Sequence, residues 1–430
     1  MDIDDSPQDA AYRATVRAFL QDNLQDLVRN THADPRNAEE IVRFKQSQKL
    51  LYQGGLVGAT WPSAYGGRDA SSMEQVVINQ ELAAIGVPPL IGQIGLGMCG
   101  PTVISHGTDA QKEKYLQRLL DGTDVWSQLF SEPGAGSDLA GISTRAVATE
   151  NGWLLNGQKV WTSGAHYSDW GIVLTRTDPT LAKHRGLTMF IIDLKAPGVT
   201  IRPLRQMTGE SSFNEVFFDD VHIPQENLLG TVNGGWGVAL TTLLNERMAI
   251  GGGGNDLGGS IENFLALAAD RLPTLAAEQQ AVVRQDIGRL YALTLACRWT
   301  GYRRLTALSR GETPGPEASA GKVAGTPVGQ EITRIAVTLL GDDAAFSTNP
   351  DGVGSWQHIQ SVLPGLALAG GATEILKNVI GERVLGLSPE PRIDKATPVA
   401  LPPTTPPLTP SQPLGHSVGD GSGALTKTGS

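Results

Sequence analysis

Ser131-Glu132-Pro133-Gly134-Ala135-Gly136-Ser137-Asp138, followed by Gln158-Lys159-Val160-Trp161-Thr162-Ser163-Gly164, decides how the rest of the chain is read. The first run sets small residues between two extended segments. Such a loop can turn several backbone N–H groups toward one point, a geometry suited to a phosphate, and its Ser hydroxyls add donors. A Pro-Gly-Ala-Gly stretch is also an ordinary tight turn, and local chemistry leaves both readings open. The second run ends a strand with an indole and two hydroxyls. A flat aromatic wall beside hydroxyl donors suits a planar ring with polar edges.

Working outward, the 430 residues are 40% hydrophobic and 18% charged, enough to fill two or three domain cores. A formal net charge of -10 argues against a nucleic-acid or anionic-membrane partner, because counterion release needs clustered Lys and Arg. Cys99 and Cys297 are too few and too far apart for a disulfide framework or a thiolate metal site. The start Met1-Asp2-Ile3-Asp4-Asp5 lacks the basic and apolar regions of a signal peptide, and no apolar run reaches membrane-spanning length. The expected location is the cytoplasm.

The chain divides into four regions. Residues 1–125 show mostly helical spacing, as in Ala11, Val16, Phe19, Leu20 and in Val76, Val77, Leu82, Ala83. The loop Trp61-Pro62-Ser63-Ala64-Tyr65-Gly66-Gly67 interrupts it. Residues 126–235 change to short strands, with turn dipeptides Asn151-Gly152 and Asn156-Gly157 around Trp153-Leu154-Leu155, and read as an antiparallel β-domain. Over 236–390 helical periodicity returns, with Val283, Ile287, Leu290 and Tyr291 on one face of a long segment. The stretch 391–430 is rich in Pro, Gly, Ser and Thr and reads as a disordered tail.

Trp236 to Ile250 has the length and apolar content of a helix. At helical offsets Glu246 shares its face with Ala239, Thr242, Leu243, Ala249 and Ile250. A carboxylate on such a face is either a buried structural ion pair or a base whose pKa is raised in a dry site.

The two opening runs together resemble the flavin-binding segments of the acyl-CoA dehydrogenase family. Phe213 to Val221 with Ile223-Pro224 resembles the end of that family's β-domain, and Asn378 to Leu387 its final helix. The likeness covers about residues 7 to 390. It implies an α+β fold with an N-terminal all-α domain, a middle antiparallel β-barrel or sandwich, and a C-terminal four-helix bundle. It further implies FAD as cofactor. The expected reaction is α,β-dehydrogenation of an acyl-CoA to a trans-2-enoyl-CoA, with electrons passing to an electron-transfer flavoprotein or similar acceptor.

By the same resemblance, Gln128, Phe130 and Ser131 edge the flavin ring. Gly136 and Ser137 meet the pyrophosphate or the substrate pantetheine, and Trp161 and Ser163 cover the ring near N5. Thr373 and Glu374 are further cofactor contacts, with Asn245 and Arg247 on the substrate side. Most relatives keep the catalytic base just before a Gly-Thr-Ser/Ala sequence near the C-terminus. Here Leu368-Ala369-Gly370-Gly371-Ala372-Thr373-Glu374-Ile375 puts Gly370 at that position. A glycine cannot be the base, and the resemblance gives its backbone N–H, with a flavin ribityl hydroxyl, the role of polarising the thioester carbonyl. Branched-chain and long-chain relatives instead carry the base immediately before an Arg on the earlier helix, which Glu246-Arg247 matches. Glu246 is therefore the expected base. An Arg-x-x-Phe-Gly sequence that reaches a neighbouring subunit's flavin in relatives is missing, with Arg271 nearest to it, and Ala372 replaces a flavin-contacting Thr. Two further readings stay open: a flavin monooxygenase on the same fold, and a non-catalytic subunit of a hetero-oligomer. A homodimer or homotetramer is the expected assembly. Thr373 is expected to cap the last helix, with Gly386 at its end.

Overall fold

The computed structural model describes residues 5–29, 34–251, 260–310, 312, 315–345 and 355–391. The N-terminal helices are α1 (Pro7–Asp22), α2 (Ala38–Gln53), α3 (Ser72–Ala84), α4 (Gly100–His106) and α5 (Asp109–Leu120). Their starts are chemically marked. Ser6 and Asn37 accept from the backbone of Asp9 and Glu40, and α3 and α5 open on reciprocal Ser71/Glu74 and Thr108/Gln111 capping boxes. The loop around Trp61 holds only a short 3₁₀ turn, Ser63–Tyr65.

The middle of the chain is one sheet of β1 (Trp126–Leu129), β2 (Arg145–Thr149), β3 (Gly152–Ser163), β4 (Trp170–Arg176), β5 (Leu187–Asp193), β6 (Val199–Leu204), β7 (Phe213–Pro224) and β8 (Leu228–Leu229). The order is β6-β7-β3-β2-β4-β5-β8, with β1 beside β4. Pairing is antiparallel except for β1 and β2 against β4, which run parallel. Strands β4 and β5 are buried on both faces, which is why they read as unbroken apolar runs. Asn156-Gly157 does not end a strand, contrary to the sequence reading. It lies inside β3 at a register shift, where the backbone of Thr144 approaches so closely that a Cβ on Gly157 would sit 2.7 Å from Thr144 Cα.

The helices that follow are α6 (Gly235–Gly251), α7 (Ile261–Arg271), α8 (Ala277–Ser309), α9 (Ser319–Leu340), α10 (Asp342–Ala345), α11 (Trp356–Leu368) and α12 (Thr373–Arg383). One core joins α1, α2, α3 and α5 to a sheet face and to α6, through Leu20, Leu51, Ile78, Leu119, Ile172, Met189 and Ala239. The other sheet face packs Trp153, Leu155, Phe190, Val216 and Val221 together. A third core gathers Phe264, Leu290, Ile332 and Ile335 from α7, α8 and α9.

Two helix details depart from expectation. Tyr291 is 44% exposed while Leu290 is fully buried, so the two do not share one buried face. Thr373 is the first helical residue rather than the cap. Ala372, extended at ψ 150, takes the cap position without a side-chain bond. The tail from 392 onward lies outside the described residues. Among the described residues no single helix is long and apolar enough to cross a membrane.

Candidate active site

The two quoted runs meet in space. Val160 N–H donates to the Ser131 carbonyl at 2.9 Å, laying the start of the loop against the end of β3. Glu132 and Ala135 exchange two N–H···O bonds, each of 3.0 Å, so the first half of the loop is a closed turn that uses those N–H groups itself. Gly136 and Ser137 follow it, both exposed, and a Cβ on Gly136 would meet nothing within 4 Å. The space for a ligand opens at that second half.

Buried charges hold the loop from beneath. Lys159, 0% exposed, donates to the Phe130 carbonyl at 2.9 Å and to Glu132 Oε1 at 2.8 Å. Glu132 also accepts from Thr144 N at 2.9 Å and from Ser143 N and Oγ at 2.7 and 2.9 Å. Burial pushes the Glu132 carboxyl up, but the Lys159 charge and these donors outweigh it and hold it below the usual carboxylate range. Further along, the buried Arg176 donates to the carbonyls of Ala140 and Lys183 at 2.5 and 2.8 Å, and Lys183 bonds both oxygens of Asp138 at 2.9 Å. Sequence reasoning assigned no role to these five charged side chains. Arg176 ending an apolar strand was a signal, since such a residue is buried only with partners.

Trp161 is 60% exposed and has φ +59, at a second register shift between β3 and β7. A bulky residue in the left-handed region is strained, and strain of this kind gathers at ligand sites. The bulge turns the indole outward, edge-on to Phe213 with ring centres 5.9 Å apart. Next to it, the Ser163 carbonyl accepts from Ser127 Oγ at 2.8 Å. Ser163 also lines a cavity of about 190 Å³ together with Trp126, Tyr167, Ser168 and Phe213.

Helix α6 brings Glu246 to the same region. Ala239 and Thr242 on its inner face are fully buried, and the helix is tied to α4 by Thr242–Thr102 at 2.9 Å and Thr241–His106 at 2.8 Å between Oγ1 and Nε2. Burial pushes His106 down, toward its neutral form. One turn beyond, Gln128 Nε2 of β1 donates to Glu246 Oε2 at 3.3 Å. The Gln128 Oε1 is buried and has no hydrogen-bond partner among the described residues. That orphaned acceptor asks for an N–H donor from a ligand, as the edge of a flavin ring would supply.

Other expected residues fall less centrally. Gly370 has φ +67 and Gly371 φ +99, a loop conformation that glycine adopts readily. Asn245 Nδ2 donates to its own helix at the Thr241 carbonyl. Thr373 is half-buried and Glu374 exposed at the start of α12. The Arg247 side chain lies outside the described residues. Arg271 is engaged with Asp343 at 2.7 Å.

Comparison with known proteins identifies the family. The model of the acyl-CoA dehydrogenase N-terminal domain matches residues 6–123, that of the middle domain 127–221, and that of the C-terminal domain 233–385. Acyl-CoA dehydrogenase FadE34 of Mycobacterium tuberculosis is 41% identical over 346 residues, covering 80% of this chain and 46% of the relative, so the chain spans about half of that protein. Acyl-CoA dehydrogenase IpdE1 of the same organism is 34% identical over 395 residues, covering 88% of this chain and 98% of the relative. A solved structure described as the Tcur3481-Tcur3483 steroid ACAD superimposes with a TM-score of 0.77 at 29% identity, covering 91% of this chain and 100% of that one. With three consecutive domain matches and an IpdE1 relative covered almost end to end, the chain belongs to the acyl-CoA dehydrogenase family of FAD-dependent flavoprotein oxidoreductases.

Proposed function

We propose that the chain catalyses α,β-dehydrogenation of an acyl-CoA thioester to a trans-2-enoyl-CoA, with Glu246 as the base. The observation that carries this reading is the Gln128–Glu246 contact, which sets a half-buried carboxylate beside the wall expected to hold the flavin. The residues present fit FAD: the orphaned Gln128 Oε1 can accept a ring N–H, the outward indole of Trp161 offers a face, and the open second half of the loop leaves room for phosphates.

An α C–H is too weakly acidic for a carboxylate unless the thioester carbonyl is polarised. In this reading the Gly370 N–H donates to that carbonyl oxygen, where enolate charge develops. Glu246 takes the α-proton, and the C–H electron pair moves into the new Cα–Cβ double bond. FAD, when bound, supplies the acceptor for the β-hydrogen and its electron pair. Ser137, Asn245 and Arg247 are assigned to the CoA side, and Phe130, Ser131, Ser163, Thr373 and Glu374 to the cofactor side. Residues 1–125, 126–235 and 236–390 form the three domains.

The similar Tcur3481-Tcur3483 steroid ACAD supports a bulky, ring-containing acyl group as substrate, and its two-component name supports assembly with a second related chain. An electron-transfer flavoprotein in the cytoplasm is the proposed acceptor. The test is anaerobic addition of acyl-CoA esters to the purified yellow protein. Bleaching of the flavin with formation of enoyl-CoA is expected. Flavin that is reduced by no acyl-CoA, or that reacts only with oxygen, contradicts the reading.

A further inference from the structure

We infer that Lys322 is a positioning residue that holds the Gly370–Gly371 loop in register with Glu246, so that the backbone donor and the proton acceptor of the reaction share one frame. The inference rests on the function proposed above. Lys322 lies near the start of α9, and its ammonium donates to the carbonyl of Ala369 and, at 2.7 Å, to that of Gly371. These are the two carbonyls on either side of Gly370.

The first of these bonds bears directly on the chemistry. The Ala369 carbonyl and the Gly370 N–H belong to one planar peptide unit, which is trans, so they point in opposite directions. Fixing the carbonyl on Lys322 therefore aims the N–H away from α9. A charged donor on the carbonyl also polarises the peptide and strengthens the N–H as a donor. The loop needs such an anchor. Ala369 and Ala372 are extended at ψ 144 and ψ 150, and the two glycines between them occupy the left-handed region, where no side chain narrows the choice of conformation.

The same ammonium feels Glu246. Helices α6 and α9 are in contact, and while burial pushes Lys322 down, the Glu246 carboxylate pulls it back toward its charged form. Lys322 on α9 thus bonds the α11–α12 loop and feels the charge that α6 carries.

The test compares full-length, flavin-loaded wild type with Lys322→Met and Lys322→Arg. Hydrogen exchange of the 366–376 segment is expected to quicken about tenfold in Lys322→Met while α7 and α8 stay unchanged, since the change is local. Affinity for a non-reducible acyl-CoA analogue should hold within about threefold, whereas single-turnover flavin reduction slows on the order of a hundredfold, as for a misaimed oxyanion donor. Lys322→Arg should recover part of that rate. Exchange rising equally across the bundle, or reduction as fast as wild type, overturns the inference. Wild-type flavin that no acyl-CoA reduces overturns the proposed function itself, and the inference with it.

Discussion

Gln128 of β1 and Glu246 of α6, 118 residues apart, meet at 3.3 Å, and this contact joins the sheet that would hold the flavin to the helix that would carry the base. Gln128 has one half of its amide engaged and the other buried without a partner among the described residues. The arrangement is half-satisfied, and an N–H donor from a ligand would complete it.

The buried Lys159–Glu132 pair supports the loop that begins at Ser131. Glu132→Gln leaves Lys159 as an uncompensated buried charge and should lower the unfolding free energy by about 3 kcal/mol. The flavin content of the purified protein should fall with it. Replacing both partners, as Lys159→Met with Glu132→Gln, should recover part of the stability in urea unfolding, because it removes the stranded charge and keeps an amide oxygen for the Ser143 and Thr144 N–H groups.

Trp161 stores backbone strain for an outward-facing ring. Trp161→Gly relieves the left-handed conformation, worth about 1 kcal/mol. The flavin-free variant should melt no lower than wild type, and its affinity for FAD should drop, as measured by titration of the apoprotein. Lower stability together with undiminished affinity would mean that the indole is a packing residue.

Gly370 cannot simply be given back a carboxylate. At φ +67 any side chain is strained by roughly 1–2 kcal/mol, and a Glu there starts from the wrong backbone. Glu246→Gln combined with Gly370→Glu is expected to stay within about tenfold of Glu246→Gln alone in flavin reduction, where one well-placed base contributes on the order of 10²–10⁴.

Asp169 clamps the N-terminal helices to the sheet, accepting from Lys45 of α2 at 2.9 Å, from Val125 N at 2.9 Å and from Lys195. Burial opposes its charge, but Lys195, the Val125 N–H and Lys45 more than compensate, so its pKa is lowered on folding. A carboxyl with a depressed folded pKa stabilises above its unfolded value, about 4, and loses that contribution as pH falls through the folded value. Melting temperature in acid should therefore fall less steeply for Asp169→Asn than for wild type, from a lower starting point at neutral pH.

Periodicity and spacing made much of this site legible. The inner face of α6, with Ala239 and Thr242 buried and Glu246 one turn beyond, follows from helical offsets alone. The two glycine- and tryptophan-containing runs are neighbours, as their family order implied. What a linear pattern does not carry is the partner of a distant charge. Lys322 meets carbonyls 47 and 49 residues away, and Lys159 meets Glu132 across 27. The bulge that exposes Trp161 was equally hidden, since it depends on register against β7 rather than on the residues of β3. The capping of α12 by Ala372 was missed because a Thr is the better cap chemically, while the extended backbone after Gly371 set the helix start one residue earlier than that reading placed it.

The central claim is that Glu246 removes the proton, and the measurement that tests it most directly is anaerobic stopped-flow reduction of the flavin by an acyl-CoA in Glu246→Gln. The isosteric amide retains a hydrogen-bonding partner for Gln128, so FAD should remain bound with its spectrum intact, while the reduction rate falls on the order of 10²–10⁴-fold. A variant that keeps its flavin and is bleached as fast as wild type would contradict the assignment.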